Sequence, residues 1–108
     1  MKTQIELFYF NANGEYEFHL RDTSSEYYLA CYSRNNTAPE FKIQSDDDYK
    51  PSIPIPDFTR MTEEEVFQAS LVWDAPYTVY FLYAAQKFIM ENLHMYNGCS
   101  HTNLTLEY

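Results

Sequence analysis

Residues 5 to 21, Ile5-Glu6-Leu7-Phe8-Tyr9-Phe10-Asn11-Ala12-Asn13-Gly14-Glu15-Tyr16-Glu17-Phe18-His19-Leu20-Arg21, decide the fold. Asn13 and Gly14 both tolerate positive φ, which a two-residue primed turn demands of its two central positions. Taking them as the loop fixes a register. Tyr9 lies opposite Phe18 and Leu7 opposite Leu20, with Ile5 and Tyr16 on the same side, so one face is continuously apolar. The other face pairs Glu6 with Arg21, Phe8 with His19 and Phe10 with Glu17. A slip of one residue would undo both the opposite-charge pair and the apolar face.

Working outward, Tyr27 to Ser33 follows a short Thr23-Ser24-Ser25 connection and reads as a third strand. It carries Tyr27, Leu29 and Cys31 on one face and Tyr28, Ala30 and Tyr32 on the other. After Asn35-Asn36-Thr37, Phe41 and Ile43 mark a fourth strand. Asp46 to Pro56, with three Asp and three Pro, reads as an extended loop poor in hydrogen bonds.

Helical spacing replaces alternation beyond Pro51. Thr62 with Glu65 forms a capping box, predicting a helix from about Thr62 to Trp73. Asp74 is the expected cap of a second helix, with Pro76 in its first turn. That helix places Phe81, Leu82, Ala85, Phe88, Ile89 and Leu93 on a wide apolar arc and Tyr80, Lys87, Glu91 and His94 on a narrow polar stripe. Asn97-Gly98 signals a helix end, and the alternation of Leu104 and Leu106 predicts a short final strand. The expected class is α+β: an antiparallel meander of three or four strands packed on two C-terminal helices, in one domain over residues 1–108.

Composition bounds what such a domain does. Its 108 residues suffice for one core. Eleven Tyr and eight Phe exceed what that core needs, so some rings are expected at the surface. Sixteen acidic residues against seven basic ones set a formal charge of −9, which repels nucleic acid and anionic membranes and attracts a basic surface. Lys2 and Glu6 interrupt the start of the chain before any apolar run, which does not read as a secretory signal, and the apolar run from Tyr77 to Ala85 is far shorter than the roughly 20 residues of a membrane span. A cytoplasmic location is expected, with Cys31 and Cys99 as thiols and the Asn35 and Asn103 sequons as chance matches.

Chemistry-bearing motifs are sparse. There is no phosphate-cradling glycine loop, dinucleotide-binding pattern, paired CxxC or HExxH. His94, Cys99 and His101 are all types that ligate zinc, but a structural site needs a fourth ligand and a His near a helix end is favoured by the dipole alone. The same residues lack an orienting third group for nucleophile and base chemistry. No metal, cofactor or enzymatic activity is expected.

Binding is therefore the expected function. Glu63-Glu64-Glu65 sits where the helix macrodipole favours acids, and that placement accounts for most of it. Asp46-Asp47-Asp48-Tyr49 has no dipole to offset its repulsion; it reads either as a solvated turn or as a contact for basic side chains. Phe8 and Phe10 alternate out of the hairpin's core face beside Glu17, and Tyr28 and Tyr32 do the same on the next strand. Either a helix covers these rings or they are exposed. Exposed rings among carboxylates suit a partner rich in Arg and Lys. The candidate partner-binding residues are thus Asp46, Asp47, Asp48, Tyr49, Glu17, Phe8, Phe10, Tyr28 and Tyr32.

Neutralising Asp46, Asp47 and Asp48 together is expected to weaken binding and leave the fold intact. The expected role is inhibition of a basic nucleic-acid-acting protein, as an immunity protein for a nuclease toxin or a phage anti-defence protein. The alternative is a non-inhibitory adaptor or a self-associating module.

Overall fold

A computed structural model describes residues 1–35 and 37–108 of the chain. Strands β1 (Lys2–Ala12) and β2 (Glu15–Asp22) form the expected hairpin, with Asn13 at φ 55° and Gly14 at φ 79°, as a primed turn requires. Its register is the expected one, with Leu7 opposite Leu20, Tyr9 opposite Phe18 and Glu6 opposite Arg21. Strand β3 (Tyr27–Ser33) continues the meander and β4 (Glu40–Ser45) contains Phe41 and Ile43 as expected. Residue 36, in the chain between these two strands, lies outside the described residues.

Two differences enlarge the sheet. The Asp46–Pro56 segment, read as a loop, contains a three-residue strand, β5 (Ile53–Ile55), paired antiparallel to β4. Pro54 is tolerated there because β5 lies at the sheet edge, where one row of N–H groups has no neighbour to serve. The final strand, β6 (Gly98–Glu107), is long rather than short and pairs antiparallel along nearly all of β1. The result is a six-stranded antiparallel sheet in the order β5-β4-β3-β2-β1-β6, where three or four strands were expected; the α+β class stands. The strand extends back from Leu104 and Leu106 through Cys99, Ser100 and His101 because Phe10, Tyr9 and Phe8, at the opposite end of the chain, pair with them.

Helix α1 (Glu63–Val72) starts at the predicted capping box, with Thr62 Oγ1 accepting from Glu65 N at 3.2 Å and Glu65 Oε1 accepting from Thr62 N at 3.1 Å. Helix α2 (Val79–Asn92) starts later than predicted. Its cap is Thr78, whose hydroxyl accepts from Phe81 N at 3.1 Å, and Asp74 and Pro76 lie in the connection. Tyr77 explains the shift: it is buried just outside the helix, stacked on Phe81 at 4.5 Å, and its hydroxyl donates to Tyr27 O at 2.5 Å. Keeping that ring on the sheet holds residue 77 out of the helical path.

Both helices pack on the same side of the sheet. Ile5, Leu7, Phe18, Leu20, Leu29 and Ile43 from the strands meet Val66, Val79, Phe81, Leu82, Ala85 and Ile89 from the helices in one buried cluster. Gln86, with 0% exposure, lies inside this cluster rather than on the polar stripe. Its Oε1 accepts from Phe58 N at 2.9 Å and its Nε2 donates to Pro56 O at 2.8 Å, so the amide pins the chain between β5 and α1 to α2. Asn11 Nδ2 donates to Leu93 O and Tyr96 O, satisfying carbonyls where α2 ends. No described helix is long and apolar enough to cross a membrane.

Candidate functional site

With both helices on one face, the alternation of the strands delivers a second set of side chains to a face that no described helix covers. Cross-strand register defines its rows. One runs His101, Phe8, His19, Ala30, Lys42 and Pro54 across the sheet, and the next runs Cys99, Phe10, Glu17, Tyr32 and Glu40. Phe8 and Phe10 are 45% and 42% exposed, which decides the question left open by alternation: these rings face solvent. Tyr28 and Tyr32 share the face and are half-buried.

The rings are organised by cations and imidazoles of the same face. Phe8 stacks on His101 at 5.0 Å with an interplanar angle of 19°. His19 lies 4.9 Å from Tyr28 and its Nε2 is 2.9 Å from Glu17 Oε1. The Arg21 guanidinium sits over Tyr28 at 5.1 Å and the Lys42 ammonium over Tyr32 at 5.3 Å. Burial, then the nearby Asp46 charge, push the Tyr28 hydroxyl up, while the bond to Tyr32 pushes Lys42 up. Phe8, Phe10, Glu17, His19 and Cys99 line an open, mostly apolar hollow of about 180 Å³.

The acidic loop separates into different roles. Arg21 sits opposite Glu6 in register, but its guanidinium forms a bidentate pair with Asp46, which joins β2 to the residue following β4. That bond holds the Asp46 carboxyl below its ordinary range and raises Arg21. Asp47 Oδ1 accepts from Tyr49 N at 3.0 Å and Asp47 O accepts from Lys50 N at 3.0 Å, so this residue builds the turn. Asp48 is exposed and Tyr49 is 98% exposed. Tyr28 and Gln44 from the sheet and Asp47, Asp48 and Lys50 from the loop wall a second hollow of about 210 Å³, which places the loop beside the aromatic face. The expected triple neutralisation therefore does not isolate binding: it removes the Arg21 tether and a turn-forming acceptor along with a free charge.

Of the expected binding residues, the sheet brings Phe8, Phe10, Glu17, Tyr28 and Tyr32 onto one surface, with Asp46 and Asp48 bordering it. His19, Arg21, Lys42 and His101 lie on this face in addition to the residues expected there. The hairpin register already put the first two on this face; His101 required the pairing of β6 with β1. His94 is exposed in a 3-10 turn after α2, away from Cys99 and His101 in β6, and no three His, Cys, Asp or Glu among the described residues are grouped as metal ligands. Compared with protein-family models, curated proteins and solved structures, the chain matches none.

Proposed function

We propose that the chain is a binding protein whose open sheet face captures a basic segment of a partner protein, and that it acts by blocking a cationic nucleic-acid-acting protein. An immunity protein for a nuclease toxin is the favoured form, with a phage anti-defence inhibitor next. The observation that carries the reading is an uncovered sheet face bearing aromatic rings among carboxylates, on a chain with a formal charge of −9.

Physical chemistry ranks the anchors on this face. Tyr28 and Tyr32 already hold Arg21 and Lys42, and Asp46 already holds Arg21, so a partner gains least there. Among the described residues no Lys or Arg lies over Phe8 or Phe10, and Glu17 pairs with His19. An incoming Arg or Lys that lays its stem on Phe8 and Phe10 and its charge on Glu17 combines apolar burial with a charge-assisted hydrogen bond. Remaining acidic charge steers association, which makes the on-rate depend on salt.

Affinity capture from the native host at low and high salt tests this. The expected result is a basic protein that is released at high salt and whose activity on nucleic acid is lost in the complex. Glu17→Gln combined with Phe10→Ala is expected to weaken that complex by at least about tenfold, roughly 1.4 kcal/mol. Capture that persists unchanged at high salt, or a bound partner that keeps its activity, contradicts the reading.

A further inference from the structure

The two edges of the sheet are built differently. At one edge, β5 has three residues, includes Pro54 and is flanked by Pro51 and Pro56. It cannot template another strand over any length. At the other, β6 runs from Gly98 to Glu107 with no Pro, Lys or Arg, and no described strand lies beyond it.

Which of its backbone groups are free follows from the terminal pair. Tyr108 N donates to Met1 O at 2.9 Å and Met1 N donates to Tyr108 O at 2.5 Å, so these residues exchange both hydrogen bonds. Antiparallel ladders alternate such pairs with pairs whose N–H and C=O groups point away. Even-numbered residues of β6 therefore bond to β1, and Cys99, His101, Asn103, Thr105 and Glu107 direct theirs outward. The bond from Thr23 N to Gln4 O agrees, since it turns the even residues of β1 toward β2.

We propose that this edge pairs antiparallel with the same edge of a second copy, about a two-fold axis at Asn103. That register engages every outward residue from Cys99 to Glu107. Asn103 meets Asn103 of the second copy, His101 meets Thr105 and Cys99 meets Glu107. On the helix side, large residues meet small ones: Leu104 faces Thr102, Leu106 faces Ser100 and Tyr108 faces Gly98 of the second copy. The strand is thus complementary to itself in shape. Charge does not oppose the pairing. Glu107 is the one Lys, Arg, Asp or Glu in β6, and Lys2 Nζ lies 3.4 Å from its carboxylate, so this edge is close to neutral on a chain whose net charge otherwise repels its copy.

Next to the edge, Tyr80, Tyr83 and Phe88 of α2 with Leu106 and Tyr108 wall an open groove of about 920 Å³ that the added strand borders. Pairing makes one continuous sheet of the two and joins their open faces, with the Phe8–His101 stacks on either side of the axis.

Analytical ultracentrifugation of the native chain across a concentration series, with hydrogen exchange read at single amides, tests the proposal. A dimer is expected, together with concentration-dependent protection at the amides of His101, Asn103 and Thr105. Asn103→Pro removes an outward N–H that the ladder to β1 does not use, and is expected to convert the dimer to monomer with an unchanged circular dichroism spectrum. Asn103→Cys in a Cys99→Ser background places the new thiols opposite each other and is expected to form an intermolecular disulfide under mild oxidation, a readout independent of how well the proline variant folds. Two results overturn the proposal: a native chain that sediments as a monomer throughout, its edge amides protected only when an extended segment of another protein is added, or a dimer that survives Asn103→Pro and does not cross-link through residue 103.

Discussion

Adjacent residues on the same strands face two different environments. Leu7, Phe18, Leu20, Leu29 and Cys31 point under the helices and are fully or almost fully buried, whereas Phe8, Glu17, His19 and Tyr28 point to a face that no described helix covers. Aromatic residues occur on both, so hydrophobicity does not tell the faces apart. Their polar neighbours do. On the covered face the few polar groups, such as Gln86 and the Tyr77 hydroxyl, are satisfied by backbone. On the open face, side chains pair with one another in ion pairs, stacks and cation–π contacts that water also reaches. Burial makes the first set large contributors to stability. Exposure leaves the second set free to exchange one partner for another.

Truncation on the two faces should separate most. Phe18→Ala opens a cavity between sheet and α2 and is expected to cost about 3–5 kcal/mol, read by denaturant unfolding, while Phe10→Ala should stay within about 1 kcal/mol and instead weaken partner binding. Comparable losses from both would mean the open face is part of the core. Next, Gln86→Leu keeps the volume but strands Phe58 N–H and Pro56 C=O, and is expected to cost about 2–4 kcal/mol. An unchanged midpoint would show that water serves those groups instead.

The faces should also fail at opposite ends of the pH scale. Burial, and after it the Asp57 charge, push the Cys31 thiol up to about 12. A raised value favours the neutral thiol in the folded chain, so this stabilisation is full below the ordinary value of 9.0 and is lost as pH rises toward about 12. Asp46 is held below its ordinary value by Arg21, so its contribution is present above the ordinary carboxylate range and is lost as pH falls through the lowered value. Melting curves should show Cys31→Ala flattening the alkaline limb and Asp46→Asn the acid limb. In the native state Cys99 should react with a thiol reagent while Cys31 stays protected until unfolding. The smallest effect is expected at the α1 cap, where Thr62→Ala should cost about 1 kcal/mol without changing affinity, because α1 lies on the side of the sheet away from the binding face.

Local rules made much of this legible in advance. Asn13-Gly14 is a turn signal that acts over two residues and fixes the hairpin register, and with it the face on which Phe8, Phe10, Glu17, His19 and Arg21 lie. Thr62 and Glu65 mark the start of α1 in the same local way. What the chain could not reveal residue by residue came from contacts distant in sequence. Ile53 to Ile55 is a strand because β4 offers it a partner, against the preference of its prolines. Gly98 to Glu107 is a strand because β1 does.

Thr78 replaces Asp74 as the α2 cap because Tyr77 has to reach Tyr27. Arg21 leaves Glu6 for Asp46 because the end of β4 brings a better placed carboxylate. Alternation along each strand is written in the order of residues, and with it which side chains could share a face. Which face the helices cover follows from long-range packing, because a period of two divides residues into two sets without saying which set is buried. That choice belongs to the packing of α2, whose Phe81, Leu82, Ala85 and Ile89 can bury against Leu7, Phe18 and Leu29 but not against a face carrying Glu17, His19 and Arg21.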